Sequence, residues 1–269
     1  MPLIPHFMKK LFLLISIFGY SFNSFSQIDT LTAPATSPAP VTPNTSQAKG
    51  KVKKDWSKVD LGNRSNDHLM IQVGYDKWAG KPDSIKTKGF SRSINAYFML
   101  DFPFKTDPRF SVGLGAGISG SSTYFDKTIV EIAGSGTKLD FNNVADTSYF
   151  KKFKLTNVFA EVPIELRFTA DPEHNSKSWK FVVGAKIGTM LNAHTKGKTL
   201  LSKSGSTINA YTRKENSKRY FNSTRLAGTA RIGIGVFSIF GVYQINPFLK
   251  EGAGPDIHPY TVGIGISGL

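Results

Sequence analysis

Eight ionisable side chains stand at alternate positions in otherwise apolar segments: Asp101, Glu161, Glu165, Arg167, Lys180, Lys186, Arg225 and Arg231. Between Asn157 and Phe168, for example, Asn157, Glu161, Glu165 and Arg167 interleave with Val158, Ala160, Val162, Ile164, Leu166 and Phe168. Successive side chains of a strand point to opposite faces, so these charges share one face and the aliphatic residues the other. Carboxylates and cations on a shared face neutralise one another, and burial is tolerated when each charge is paired and hydrogen-bonded. If the segments carrying Glu161 and Lys186 form a hairpin, Glu161 faces Lys186 and Arg167 faces Lys180. Glu161 is then expected to bond Lys186, while Glu165 reaches Arg231 or Lys186. A gated or proton-coupled path is the functional alternative to a structural polar core.

A second set is basic: Lys196, Lys198, Lys203, Arg213, Lys214, Lys218 and Arg219 crowd one long spacer against Glu215 alone. With a formal net charge of +15, nucleic acid is the usual inference, but an exported chain would not meet it. Anionic lipopolysaccharide or a surface polymer is the expected partner, and a merely solvated loop the alternative. His194 and His258, with Asp256, fall at the ends of two segments, and His68 and His174 fall at the opposite ends. No G-x-S-x-G elbow, H-E-x-x-H pair or calcium loop accompanies them, so no catalytic, cofactor or metal site is predicted. Gly115, Gly117 and Gly120 satisfy G-x-G-x-x-G, but inside an alternating segment with no helix after it.

The elements that must position the charges are eight strands: Asp67–Tyr75, Ser91–Phe102, Arg109–Tyr124, Phe153–Ala170, Trp179–His194, Phe221–Phe237, Ile239–Phe248 and His258–Leu269. The spacers between them alternate short and long, the rhythm of an up-and-down transmembrane barrel with tight periplasmic turns and longer outer loops. An even strand count puts both ends in the periplasm. A charge facing lipid at mid-bilayer costs about 2–4 kcal/mol, which assigns the charged face to the lumen. Eight strands enclose only enough room for side chains, so the ionic residues are expected to plug the barrel. Inward glycines, among them Gly113, Gly184, Gly188, Gly233 and Gly235, would make room for them. Aromatic residues near strand ends, such as Tyr75, Phe102, Phe110, Tyr124, Trp179 and Tyr260, fit interfacial girdles. A soluble lipocalin-like barrel, apolar inside and charged outside, is the competitor.

Ahead of the barrel, Lys9 and Lys10, the apolar run Leu11–Tyr20 and Ser24-Phe25-Ser26 read as a secretory signal over residues 1–26. Residues 27–64 form a Pro/Thr/Ser-rich and then Lys-rich segment expected to be a disordered periplasmic tether, and 65–269 the barrel. No cysteine occurs, which excludes disulfides, thiol catalysis and a lipidated cysteine anchor. Asp29-Thr30-Leu31 and Asp83-Ser84-Ile85 resemble a short O-glycosylation sequon.

The run Phe159-Ala160-Glu161-Val162-Pro163-Ile164-Glu165-Leu166-Arg167-Phe168 resembles a strand of the PorT-like outer-membrane beta-barrel proteins of Bacteroidetes. Phe181–Gly188 and the closing Tyr260–Ile266 are similar to later strands of that family. The resemblance implies an eight-stranded outer-membrane barrel and no reaction. The expected function is a non-enzymatic, integral outer-membrane protein with a plugged lumen, acting through envelope lipid, lipopolysaccharide or envelope proteins. An accessory of secretion or small-solute transport, and an enzyme of the outer rim, are the alternatives.

Overall fold

The computed structural model describes residues 68–174 and 176–268. The expected signal and tether, with Lys49, Lys51, Lys53 and Lys54, lie outside the described residues, as do Asp67 and Leu269. Eleven strands are described: β1 (Leu69–Ala79), β2 (Arg92–Pro103), β3 (Phe110–Phe125), β4 (Thr128–Glu131), β5 (Asp140–Asn143), β6 (Tyr149–Thr169), β7 (Trp179–Leu201), β8 (Thr207–Asn216), β9 (Thr224–Ile234), β10 (Phe237–Gln244) and β11 (His258–Ser267). Eight of them close a ring in the order β1-β2-β3-β6-β7-β9-β10-β11, every neighbour antiparallel and β11 returning to β1. Closure leaves no free edge in the ring itself.

The alternation in the sequence sorts the side chains as expected for a barrel that is polar inside and apolar outside. Ile264 is 68% exposed on the outer wall, whereas Lys186 is 1% exposed within it. A lipocalin-like interior is thereby overturned. The outer band on β6 runs from Phe168 to Val158, about 25 Å once strand tilt is included. Tyr75, Tyr124, Tyr243 and Tyr260 edge one end of the band, and Phe102, Phe110, Phe168 and Trp179 edge the other.

Turn chemistry sets the hairpin registers. Between β6 and β7, Ala170 N–H donates to Trp179 O at 3.0 Å and Asp171 N–H donates to the Ser178 hydroxyl at 2.7 Å. This closing pair places Glu161 opposite Gly188 and Lys186 opposite Pro163. The expected Glu161–Lys186 and Arg167–Lys180 registers are therefore wrong by two residues. Between β9 and β10 the turn is Gly235-Val236, with Gly235 at φ +59°, a left-handed conformation that suits glycine. Gly235 is thus a turn residue and not a lumen-facing one.

The longer connections carry structure that alternation did not reveal. β4 and β5 pair as a small hairpin, and β7 runs on to Leu201, where its far half pairs with β8. The expected long basic loop is a β-hairpin. At Leu191 an extra residue of β7 breaks the register, Val158 pairing with Asn192 and Phe159 with Met190. Such a bulge shifts the phase of every later side chain. Asn192, which the two-residue period of Lys180 and Lys186 would place inside, is exposed, and Ala193, Thr195 and Gly197 turn inward instead.

Candidate functional site

The interior is built in layers, beginning at the end of the barrel that carries the short turns. Asp101 of β2 accepts a hydrogen bond from Ser111 at 2.6 Å and pairs with Arg167 of β6 at 3.5 Å. Arg167 also holds Glu165, Nε to Oε2 at 3.0 Å. Glu165 receives Arg231 of β9 at 2.8 Å, so one carboxylate joins two guanidinium groups. Gly113 permits this layer, since a Cβ there would lie 2.5 Å from Arg167 Nε. Lys180 sits half-buried opposite Thr169 and Gly233, at the margin of the layer.

The next layer centres on Glu161. Arg225 of β9 donates to its Oε1 at 2.7 Å and the Tyr97 hydroxyl of β2 to its Oε2 at 2.6 Å. Lys186 donates to the Tyr97 oxygen at 3.1 Å and to Gln72 Oε1 at 3.3 Å, with its ammonium 4.5 Å from the Tyr97 ring centre. Gln72 lies on β1, four steps around the ring of eight from β7. Lys186 therefore spans the lumen to the opposite wall rather than pairing with Glu161. Arg225 also donates to Ser119 and stacks on Phe159 at 5.3 Å.

A fourth carboxylate, Asp76, lies one residue beyond the Asp67–Tyr75 strand expected from sequence and so is not among the predicted lumen residues. It accepts hydrogen bonds from Ser121 and Thr261, each at 2.6 Å. Continuing the period Gln72, Gly74, Asp76, Trp78 by one turn of the pleat would have found it. Asp76, Asp101, Glu161 and Glu165 stand against Arg167, Lys186, Arg225 and Arg231, four charges of each sign.

Above the polar layers lies an apolar one. Trp78, Phe125, Phe153, Leu155 and Phe159 point inward and meet Phe150 at the far end of β6 and Val130, Ile132, Leu139, Phe221, Phe248, Leu249 and Ile257 from the long connections. Backbone and side-chain bonds knit these connections together: Leu139 N–H to Ala253 O at 2.7 Å, Tyr220 hydroxyl to Gly134 O at 2.6 Å, and Asn222 to Pro247 O at 2.7 Å. The Trp78 ring meets Phe125 edge-on at 5.5 Å and Phe248 at 5.6 Å. Between this cap and the Glu161 layer remains a cavity of about 20 Å³, bordered by Asp76, Asn95, Asn157 and Glu161. It has room for a single water.

The basic set divides. Lys196 and Lys198 lie on β7, Arg213 and Lys214 on β8, and Lys203 in the intervening turn, paired with Asp146 at 2.9 Å. Arg213 pairs with Glu215 across 2.8 Å. Lys218 and Arg219 fall beyond β8, the first donating to Met190 O at 3.4 Å and the second stacked on Tyr220. His194 contacts Asn192, and burial together with Lys214, Lys154 and Lys196 holds its pKa below the ordinary imidazole value. His258 contacts Asp256 and Gln244 O on β11, separated from β7 by β9 and β10. His68 and His174 lie at the short-turn end, against Met99 O and Asp171. The structure does not bring these four described histidines together.

A closed antiparallel ring with charge inside and an apolar outer band edged by aromatic residues defines a membrane β-barrel. The chain belongs to the outer membrane protein beta-barrel domain family, whose pattern matches residues 57–247. No curated protein matches it. Among solved structures it is similar to Ail, the attachment invasion locus protein of Yersinia pestis, in complex with the heparin analogue sucrose octasulfate. That alignment has 14% identity, covers 74% of this chain and 95% of that one, and has a TM-score of 0.30. The backbone structure of Ail in a phospholipid bilayer nanodisc aligns at 18% identity over 74% of this chain and 97% of that one, with a TM-score of 0.27.

Proposed function

We propose that this outer-membrane barrel is a closed, non-enzymatic anchor that holds a folded platform at the cell surface. The observation that carries the reading is the pair of seals in series: charged side chains that reach across the lumen, and an apolar cap above them. The cavity of about 20 Å³ left between the two is far too small for a hydrated ion or a sugar. The short turns and both termini face the periplasm, with the signal at 1–26, the tether at 27–64 and the barrel at 65–269. The long connections then stand outside, where their basic hairpin meets anionic envelope material. The resemblance of Phe159–Phe168 to a strand of the PorT-like outer-membrane proteins supports the outer-membrane location.

Two experiments test the reading. Liposomes carrying the protein should not swell in isotonic arabinose, and swelling at a porin-like rate would refute closure. Protease added to intact cells should cut the 202–206 turn of the basic hairpin while sparing the β6–β7 turn, and the reverse pattern would invert the barrel.

A further inference from the structure

The register across β6, β7 and β8 places three lysines in one row. Lys154 is directly opposite Lys196, and Lys196 directly opposite Lys214. One pair of residues further along, Lys152 faces Lys198. All five belong to the outward face, because Phe153, Leu155, Thr195 and Gly197 take the inward one. Like charges directly opposed in a sheet repel and destabilise it. Among the described residues, no carboxylate lies within ion-pair distance of any of the five lysines. Lys154 has only the Ser122 hydroxyl at 3.3 Å and the Tyr124 ring at 6.0 Å. Burial and, after it, Lys214, Lys154 and Lys196 hold the pKa of His194 down, as expected beside this row.

Position narrows what this row meets. On β6 the outward aliphatic run ends at Val158, and Lys154 stands on the same face four residues nearer the N-terminal end of the strand. At the rise and tilt of a barrel strand that is about 10 Å, the outer edge of a headgroup layer roughly 5–8 Å thick and within reach of a lysine stem. Lysine stems can lie along the apolar wall with their ammonium groups at that level. A soluble polyanion needs no such alignment with the lipid band, whereas a membrane-resident phosphate requires it.

We propose that Lys154, Lys196 and Lys214, flanked by Lys152 and Lys198, form a clamp for the phosphate groups of an outer-leaflet phosphoglycolipid. The ligand's charge would relieve the repulsion built into the row, so binding and local order are coupled. The proposal rests on the outward placement of the long connections argued above. A titration in micelles reads the clamp independently of that placement, which surface proteolysis tests by itself.

The test is a titration of the purified full chain in neutral detergent with bisphosphorylated lipid A, read as the temperature at which the heat-modifiable gel band is lost. The wild type and a Lys203→Gln control should be stabilised. The Lys154→Gln/Lys196→Gln/Lys214→Gln variant should need at least tenfold more lipid for the same shift, and enzymatically dephosphorylated lipid A should have no effect. Lys196→Gln alone, at the centre of the row, should show an intermediate loss and serves if the triple variant does not fold. Equal stabilisation of wild type and variants, or equal action of the dephosphorylated lipid, would overturn the clamp. Tighter binding of dextran sulfate than of lipid A would overturn its assignment to a lipid.

Discussion

Glu161 and Arg225 join two strands that do not touch: Oε1 of the first is 2.7 Å from Nη1 of the second, with the whole of β7 lying between β6 and β9 in the ring. Glu165 and Arg231 repeat the connection nearer the short turns, at 2.8 Å. These bonds are chords across the lumen and not ladder contacts, so they brace the wall as well as fill it. The account predicts that Glu161→Ala strands the Arg225 charge and lowers unfolding stability by about 3–5 kcal/mol. Urea unfolding in detergent, followed by tryptophan fluorescence, measures this. Glu161→Ala combined with Arg225→Met should recover most of the loss.

The glycines of β3 are predicted to be needed where the chords pass. At Gly113 a methyl group would fall 2.5 Å from Arg167 Nε, so Gly113→Ala forces the guanidinium off Glu165. Overpacking of this kind costs about 1–3 kcal/mol. Gly120, whose nearest neighbour to an added Cβ is 3.6 Å away, should accept alanine with little change in the same unfolding assay.

The cap is predicted to loosen separately from the barrel. Trp78→Ala removes the ring on which Phe125, Phe141 and Phe248 pack, a truncation that costs about 3–5 kcal/mol in a packed core. Hydrogen exchange should accelerate in β4, β5 and residues 245–257, while β2 and β3 keep their protection. Uniform acceleration throughout would mean that cap and barrel are one cooperative unit.

His194 supplies the pH dependence. Burial, Lys214, Lys154 and Lys196 lower its folded-state pKa, so the unfolded hairpin binds a proton more readily than the folded one. Stability of the β7–β8 hairpin is therefore full above about pH 6.5, the ordinary imidazole value, and declines as pH falls below it. An NMR titration should place His194 below that value in the wild type. Lys154→Gln, Lys196→Gln and Lys214→Gln together should raise it.

Alternation made most of the barrel legible, because period two and one-sided charge are local properties. It gave all eight ring strands, the inward placement of Glu161, Glu165, Arg167, Lys186, Arg225 and Arg231, and the outward apolar band. What it missed depends on non-local events. The β6–β7 register hangs on the Ser178 hydroxyl at Asp171, and the phase after Leu191 on a single bulge residue. Asp76 was lost by ending a strand three residues before Trp78. The cap was invisible because Val130, Leu139, Phe221 and Leu249 are scattered through spacers with no shared period, and they form a face only when the connections fold over the mouth. The partner of Glu161 was wrong for the same reason: hairpin logic considers neighbours, and Arg225 is two strands away.

Single-channel recording in a planar lipid bilayer tests the central claim, a lumen sealed by the Glu161 layer and the cap. The account predicts no steady current from the wild-type protein in 1 M KCl across ±100 mV. A stable unit conductance whose size or ion selectivity changes on Glu161→Ala would place that carboxylate in an open pore and contradict it.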